Sequence, residues 1–468
     1  MTKRIIMNPV TRISGFLEID VTIDKNVVIE AKTKGSMFRG FEQMLIGRSP
    51  FDAIYFTQRI CGICSAAHSM ASSLALENAL GIVPTEQGRY LRDIIHCCEF
   101  LQNHLRHFYQ HTLPDYIKFP EIGPLDQTDH TDFRLPKKEN DLIVDHYFES
   151  FKMSRLAHQM LAVLGGKAPH NHGVFIGGIT TQATPDKLIK LRSSLKTIQS
   201  FINDKMIPDI YTIAKYYDEY FQNGRGNGNF LSYGNFNKYN DLGTLHLNPL
   251  VYVGGQYFEF NPDYITESID YSWYEGKSTY KPEETIPEPN MDKEKAYTWV
   301  KAPRYNGLPF EVGPLARLWL NGEYREGIST MDRDIARVLE AGKITKIMLT
   351  LLDHVIPNVD VQSKYKIPTK AEGKGLIDTI RGALGHWVKI EKEVISFYQV
   401  ITPSAWGFSS RDERFRGTVE QALIGTMIED PDNPAEIGRI VRSFDPCISC
   451  ATHVYRDGKP TQTIRVLK

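Results

Sequence analysis

The chain has 468 residues, 41% hydrophobic and 24% charged, with a formal net charge of −1. This is the composition of a soluble globular protein, large enough for an extensive core and two or three structural units. The near-neutral charge leaves no electrostatic footprint for nucleic acid, and no run of eighteen apolar residues is present to span a membrane.

The opening "MTKRIIMNPVTRISG" lacks an apolar signal core, so the chain is not expected to carry an export signal of its own. "FLEIDVTI" and "VVIEAKT" alternate apolar and polar residues, which predicts an antiparallel β region within residues 1–50, with "DKN" as the turn. From Asp52 the spacing becomes helical. "CSAAHSMASSLALENAL" predicts a helix closing at Gly81, and a second runs from about Thr85 through "LRDIIHCCEFLQNHLRHFYQHTL" to Pro114. Two more follow near residues 140–163 and 185–222, so residues 52–222 read as a bundle of long helices.

"NGRGNGNFLSYGNF" is a Gly/Asn loop that opens a lobe of loops and hairpins over residues 223–300. Helix returns in "PLARLWL" and "MDRDIARVLEAGKITKIMLTLLDHVI", and strands in "IDTIRGALGHWVKIEKEVISFYQVI". A last helix, "TVEQALIGTMI", leads to "FDPCISCATH", so residues 301–453 mix helices, strands and a second cysteine motif. The expected fold class is α+β and mainly helical, with a long-helix bundle core, an N-terminal antiparallel sheet and peripheral hairpins in one catalytic unit.

Of six cysteines, four form two C-x-x-C pairs near opposite ends of the chain, Cys61 with Cys64 and Cys447 with Cys450. Sparse cysteines in a long chain do not make a disulfide scaffold. A C-x-x-C pair places two sulfurs on one turn, close enough to chelate one ion, and thiolates are strongly stabilised by a metal. Two pairs favour one four-thiolate site for zinc, an iron–sulfur centre or nickel, and sulfur count alone does not choose among them. A zinc staple is the plain structural reading. Against it, the first pair opens an apolar helix, and His68 lies on the same helical face as Cys64, where it suits a donor to a metal thiolate. Cys97 and Cys98 are adjacent on a helix, so one buried and one partly exposed thiol is expected.

"RICGIC" and "DPCISCATH", with "FRGFE", "HLRHFY", "RGALGHW" and "VEQALIGT" between them, closely resemble the large, catalytic subunit of [NiFe] hydrogenases, from "NPVTRISG" to the C-terminus. The resemblance implies that Cys61, Cys64, Cys447 and Cys450 bind nickel, with Cys64 and Cys450 bridging to an iron that carries carbon monoxide and cyanide. It implies heterolytic cleavage of dihydrogen, with Arg381 overhanging the metals, Asp115 and Asp445 as its acidic partners, and Ser404 near a cyanide. Glu42, His453 and a backbone carbonyl near Phe408 would hold Mg2+. On the residues alone, Arg381 reads as a structural ion pair, Asp445 as the start of an Asp-Pro turn, and Asp115 and Glu42 as helix caps.

Two departures stand out. Ser14 in "RISGF" replaces the glutamate of the family's "RIEGH", usually assigned first proton acceptance, and serine has no accessible pKa near neutrality. Ile380 stands where the family usually has proline. The fifteen residues after His453 have the length of the peptide that the family's maturation endopeptidase removes, predicting cleavage between His453 and Val454. The resemblance further implies metal-insertion chaperones, an obligate iron–sulfur small subunit that takes the electrons, and membrane association and export only through that partner, with a cytoplasmic location as the alternative. Competing readings are a hydrogen-sensing homologue of low turnover and a respiratory complex I quinone-side subunit. The four retained thiols argue against the latter.

Overall fold

The computed structural model describes residues 2–121, 130–239 and 241–451, with residues 450 and 451 described by their backbone alone. Helix outweighs strand, 41% against 21%, as expected of this α+β chain. Strands β1 (Thr2–Met7), β2 (Leu17–Asp24) and β3 (Val27–Gly35) form the predicted antiparallel sheet. Lys25 and Asn26 both sit at positive φ (48° and 62°), the turn geometry that matches strand twist in a two-residue hairpin. The inner face, including Leu17, Ile19, Val21 and Val28, shares a core with Val419, Leu423, Ile437, Ile440 and Ile448. The N-terminal sheet and residues 419–448 are therefore packed against each other.

Short helices α1 (Phe41–Leu45) and α2 (Asp52–Thr57) precede α3 (Ser65–Leu80), which closes at Gly81 in the left-handed region. Helix α4 (Glu86–Arg106) starts at Thr85, whose side chain accepts the Gly88 N–H at 3.1 Å. It runs on through a π-helical turn, His107–Thr112, to Asp115. Helices α5 (Lys137–Gly165), α6 (Pro185–Phe201), α7 (Ile207–Tyr216), α8 (Pro314–Leu320) and α9 (Thr330–His354) complete the bundle, and α4 packs between α3, α5 and α9. Short antiparallel strands occur within residues 223–300, among them the hairpin of Leu250–Val253 with Gln256–Glu259.

A later three-stranded antiparallel sheet, Lys370–Thr379, Gly382–Glu391 and Val394–Ile401, lies directly on α3. Alternate glycines on its first strand, Gly373 and Gly375, meet the helix at Ala71, Ala75 and Ala79, alanines four residues apart. A Cβ at Gly375 would stand 2.1 Å from the Ala71 carbonyl oxygen, and one at Gly373 2.4 Å from the Ala79 nitrogen. This contact carries α3, and with it the first cysteine motif, deep into the molecule.

Three expectations are corrected. The helix begun at Thr418 stops at Leu423, because Ile424 turns extended and Gly425 adopts φ +83° so that this segment can pair with β3. A helix at Ala435–Ser443 was masked in the sequence by its Pro- and Asp-rich approach. Cys97 and Cys98 are both fully buried, since α4 is covered on every side, and burial pushes both thiols up.

Candidate metal centre

The first motif leaves α2 through a 3-10 turn, Gln58–Ile60, and ends with Cys64 at the N-cap of α3. Cys61 Sγ accepts the Ile63 N–H at 3.3 Å. The second motif begins at Asp445, a non-glycine residue at φ +53°, and places the Cys447 N–H on Ser404 Oγ at 3.0 Å. Ser14 clasps this loop from the N-terminal side: its N–H donates to the Pro446 carbonyl (3.3 Å) and its carbonyl accepts the Ile448 N–H (2.7 Å). Gly15 makes the clasp feasible, for a Cβ there would lie 2.3 Å from the Ser449 nitrogen. Arg39 of "FRGFE" ties the two motifs together by donating to the carbonyls of Arg59 (3.2 Å), Ile60 and Ser449 (2.5 Å).

The result is a convergence of sulfur. Cys61 Sγ and Cys447 Sγ are 3.2 Å apart, far beyond a disulfide length of about 2.05 Å. The sulfurs of Cys61, Cys64 and Cys447 all lie within 4.8 Å of one another, and all three residues are buried. The side chain of Cys450, and all of His453 and Val454, lie outside the described residues.

Above the sulfurs sits Arg381, buried, with Nη2 3.0 Å from Asp445 Oδ1 and Nε donating to the Asp445 carbonyl at 3.0 Å. Burial alone would lower its pKa, but Asp445 and then the thiolates of Cys447, Cys64 and Cys61 raise it. Burial alone would likewise raise Asp445. The Arg381, His107 and Arg337 groups outweigh burial and hold it well below the usual carboxylate range. Arg381 Nη1 has no hydrogen-bond partner among the described residues. Arg381 lines the small cavity at Cys64 and Cys447, walled by Ile380, Leu384 and Pro403, so the chain offers an unspent donor to whatever the sulfurs hold.

Asp115 is corrected: its carboxylate is taken by Arg442 (Nε to Oδ2 2.6 Å, Nη2 to Oδ1 2.8 Å) and Arg12 (2.5 Å), not by Arg381. It stands past the π-helical turn of α4, where these two guanidiniums saturate it. The second partner of Arg381 is Asn103, which accepts from Nη2 through Oδ1 (2.8 Å) and donates to Asp445 Oδ2 through Nδ2 (2.8 Å). Asn103 and Arg39 both escaped the sequence reading. Arg39 lies inside "FRGFE" and Asn103 just before "HLRHFY", but nothing in the residue type marks a neutral amide or a surface-like arginine as part of a buried centre.

His68 is buried one turn into α3 and shares a proton with His386 (Nδ1 to Nε2, 3.1 Å). Burial brings it down to about 4, so it is neutral at physiological pH. Ser14 Oγ lies 3.2 Å from Ser449 Oγ. Glu42 is buried, and burial raises its pKa, with Lys301 opposing and a second carboxylate, Glu267, reinforcing the rise. Glu267 in turn meets Lys301 (2.7 Å) and Gln399 (2.8 Å). Phe408 follows the short helix Pro403–Gly407. Its carbonyl accepts the Thr33 hydroxyl at 3.1 Å and its ring joins the N-terminal core, whereas α1, which carries Glu42, packs on strand Val394–Ile401.

The nickel-dependent hydrogenase family matches residues 39–129, 120–327 and 320–453. The chain belongs to that family. Among curated relatives, the periplasmic [NiFeSe] hydrogenase large subunit of Desulfomicrobium baculatum is 35% identical over 96% of this chain and 95% of the relative. The quinone-reactive Ni/Fe-hydrogenase large chain of Wolinella succinogenes is 30% identical over 97% of this chain and 96% of its own. The Ni-Fe-Se hydrogenase from D. vulgaris Hildenborough, in its reduced state, superposes with a TM-score of 0.93 at 36% identity, covering 97% of this chain and 100% of that one. The zinc-staple reading is thereby set aside. This hydrogenase large subunit is an enzyme whose converging cysteines, buried and soft, suit a nickel–iron centre.

Proposed function

We propose that Cys61 and Cys447 are terminal ligands of nickel, and that Cys64 and Cys450 bridge it to an iron carrying carbon monoxide and cyanide. The observation that carries this reading is the meeting of three buried sulfurs beneath an arginine with an unspent N–H. Once bound, the metal pair supplies the acceptor for the electron pair of the H–H bond. The chain's own part is electrostatic. Arg381, fixed by Asp445 and Asn103, points fixed positive charge where charge separates and costs no reorganisation at that moment. Ser404 holds the Cys447 amide, and neutral His68 braces the first turn of α3.

Protons leave without a carboxylate at position 14. Asp115 is too firmly ionised between two arginines to be the acceptor, so water beside Ser14 is the exit we favour. Glu42 is proposed as a ligand of Mg2+, with His453. The buried approach of Glu42 to Glu267 favours a cation beyond Lys301.

The iron–sulfur small subunit docks, in this reading, on the open cleft of about 640 Å³ that reaches Ile63, between the first two cysteines, and is lined by Arg106, His111 and Phe151. Ile63 is partly exposed, with its N–H 3.3 Å from Cys61 Sγ, and exposed Leu142, Phe148 and Phe151 of α5 offer apolar anchors. Among the described residues no helix is long and apolar enough to cross a membrane, so membrane association would come through partner subunits. The match to the family ends at residue 453, which supports removal of residues 454–468 after metal insertion.

Infrared spectra of the anaerobically purified heterodimer, with nickel and iron analysis and intact mass, test these points together. Bands in the CO and cyanide stretching region, nickel in the sample and a chain ending at His453 are expected. Metal-loaded protein without nickel, or an active chain retaining all fifteen residues, would overturn the corresponding assignment.

A further inference from the structure

One buried carboxylate beside the cysteines has no part in the reading above. Glu99, on α4, is 1% exposed. Its Oε1 accepts the Ala66 N–H at 2.7 Å and its Oε2 the Ala67 N–H at 2.8 Å. These are the second and third amides of α3, and such amides are ordinarily satisfied by the side chain of the N-cap residue. The N-cap here is Cys64, whose side chain does not cap the helix. A metal ligand is in any case ill suited to that second task. The cap is supplied instead from a different helix.

Two oxygens on two consecutive amides do more than satisfy donors. They fix the rotation of the first turn of α3 about its axis, and hence the direction in which Cys64 projects its sulfur. The same face of α4 continues to the other half of the centre. Asn103, four residues on, bridges Arg381 and Asp445, and His107, four further, donates from Nε2 to the Arg442 carbonyl (2.7 Å) ahead of Cys447. Glu99 is also within electrostatic reach of both halves. Burial pushes its carboxyl up to about 8, the two amides and Arg381 oppose that rise, and Cys447 adds to it.

We propose that Glu99 is a positioning residue of the metal centre, clamping the turn that bears Cys64 so that α4 gauges the first cysteine motif against the second. This rests on the nickel–iron reading for its consequence, though not for the clamp itself. Glu99 touches neither substrate nor metal and acts through Cys64.

The test uses Glu99→Gln, which keeps one acceptor oxygen and the side-chain volume, and Glu99→Ala. In the full chain produced without nickel, amide hydrogen exchange at Ala66 and Ala67 should rise at least tenfold in both variants while the later turns of α3 keep their protection. In the holo heterodimer, Glu99→Gln should retain nickel, shift the CO and cyanide bands, and lower kcat about tenfold with KM for dihydrogen unchanged. Unchanged exchange at the two amides, or bands superimposable on those of the unaltered enzyme at full nickel content, overturns the proposal. If Glu99→Ala does not fold, Glu99→Gln decides alone. Absence of CO and cyanide bands from the unaltered enzyme would sink the nickel–iron reading instead, and the exchange measurement would still settle the clamp.

Discussion

Arg381 and Asp445 hold each other twice, once side chain to side chain and once through the Asp445 main-chain carbonyl. The second contact matters because Asp445 is two residues before Cys447, so the arginine is referenced to the backbone that carries a sulfur. A lysine cannot reproduce both contacts together with the bond to Asn103. Arg381→Lys is expected to keep its nickel and lose about 100-fold in kcat, the usual cost of removing one preorganised donor. Dye-linked hydrogen oxidation on samples matched for nickel content checks this, and activity within twofold of the unaltered enzyme would contradict it.

Asp115 gives a pH prediction. Burial would raise its pKa, but Arg12 and Arg442 hold it below the usual range. A depressed carboxylate stabilises the fold fully above its unfolded value of about 3.9 and loses that contribution as pH falls through the folded value. Asp115→Asn should therefore cost about 3 kcal/mol near neutrality, by leaving the buried guanidinium of Arg442 and the partly buried one of Arg12 uncompensated. It should also flatten the loss of stability in acid. Denaturant midpoints across a series from neutral to strongly acid pH would show both effects, and an unchanged acid slope would refute the second.

Ser14 lies against the second motif, 3.2 Å from the Ser449 hydroxyl. A carboxylate introduced there would supply an acceptor that serine lacks. Ser14→Glu should raise the rate of H/D exchange and of hydrogen oxidation if proton exit limits turnover in its absence. Exchange that is unchanged or slower counts against that limit.

Gly375 permits α3 to touch the later sheet. Gly375→Ala pushes a Cβ towards the Ala71 carbonyl and should destabilise by about 3 kcal/mol or more, as overpacking of a rigid contact does. Because Ala71 is seven residues from Cys64, nickel content should fall along with the melting temperature. A variant with unaltered Tm would show that the strand can shift.

Much of this architecture is legible in the sequence where local chemistry speaks. Thr85 and Gly81 mark helix ends through their own capping behaviour, and the "DKN" turn announces its hairpin. The two C-x-x-C pairs show a metal site before any coordinate does. What escaped depends on distance along the chain. Asp115 and Asn103 sit twelve residues apart, and only the path of α4 through its π-helical turn decides which one meets Arg381. Likewise the Ile424–Met427 segment has helical periodicity, yet β3 claims its backbone. The expected exposure of one of Cys97 and Cys98 failed for a similar reason: a helix with neighbours on all sides has no outer face.

The contacts of Arg39 with Ile60 and Ser449 also bear on biosynthesis. One guanidinium grips carbonyls that are separated by almost the whole length of the polypeptide. During translation the first cysteine pair leaves the ribosome long before the second motif is made. The two motifs therefore meet, and the grip of Arg39 closes, only after the intervening chain has been made.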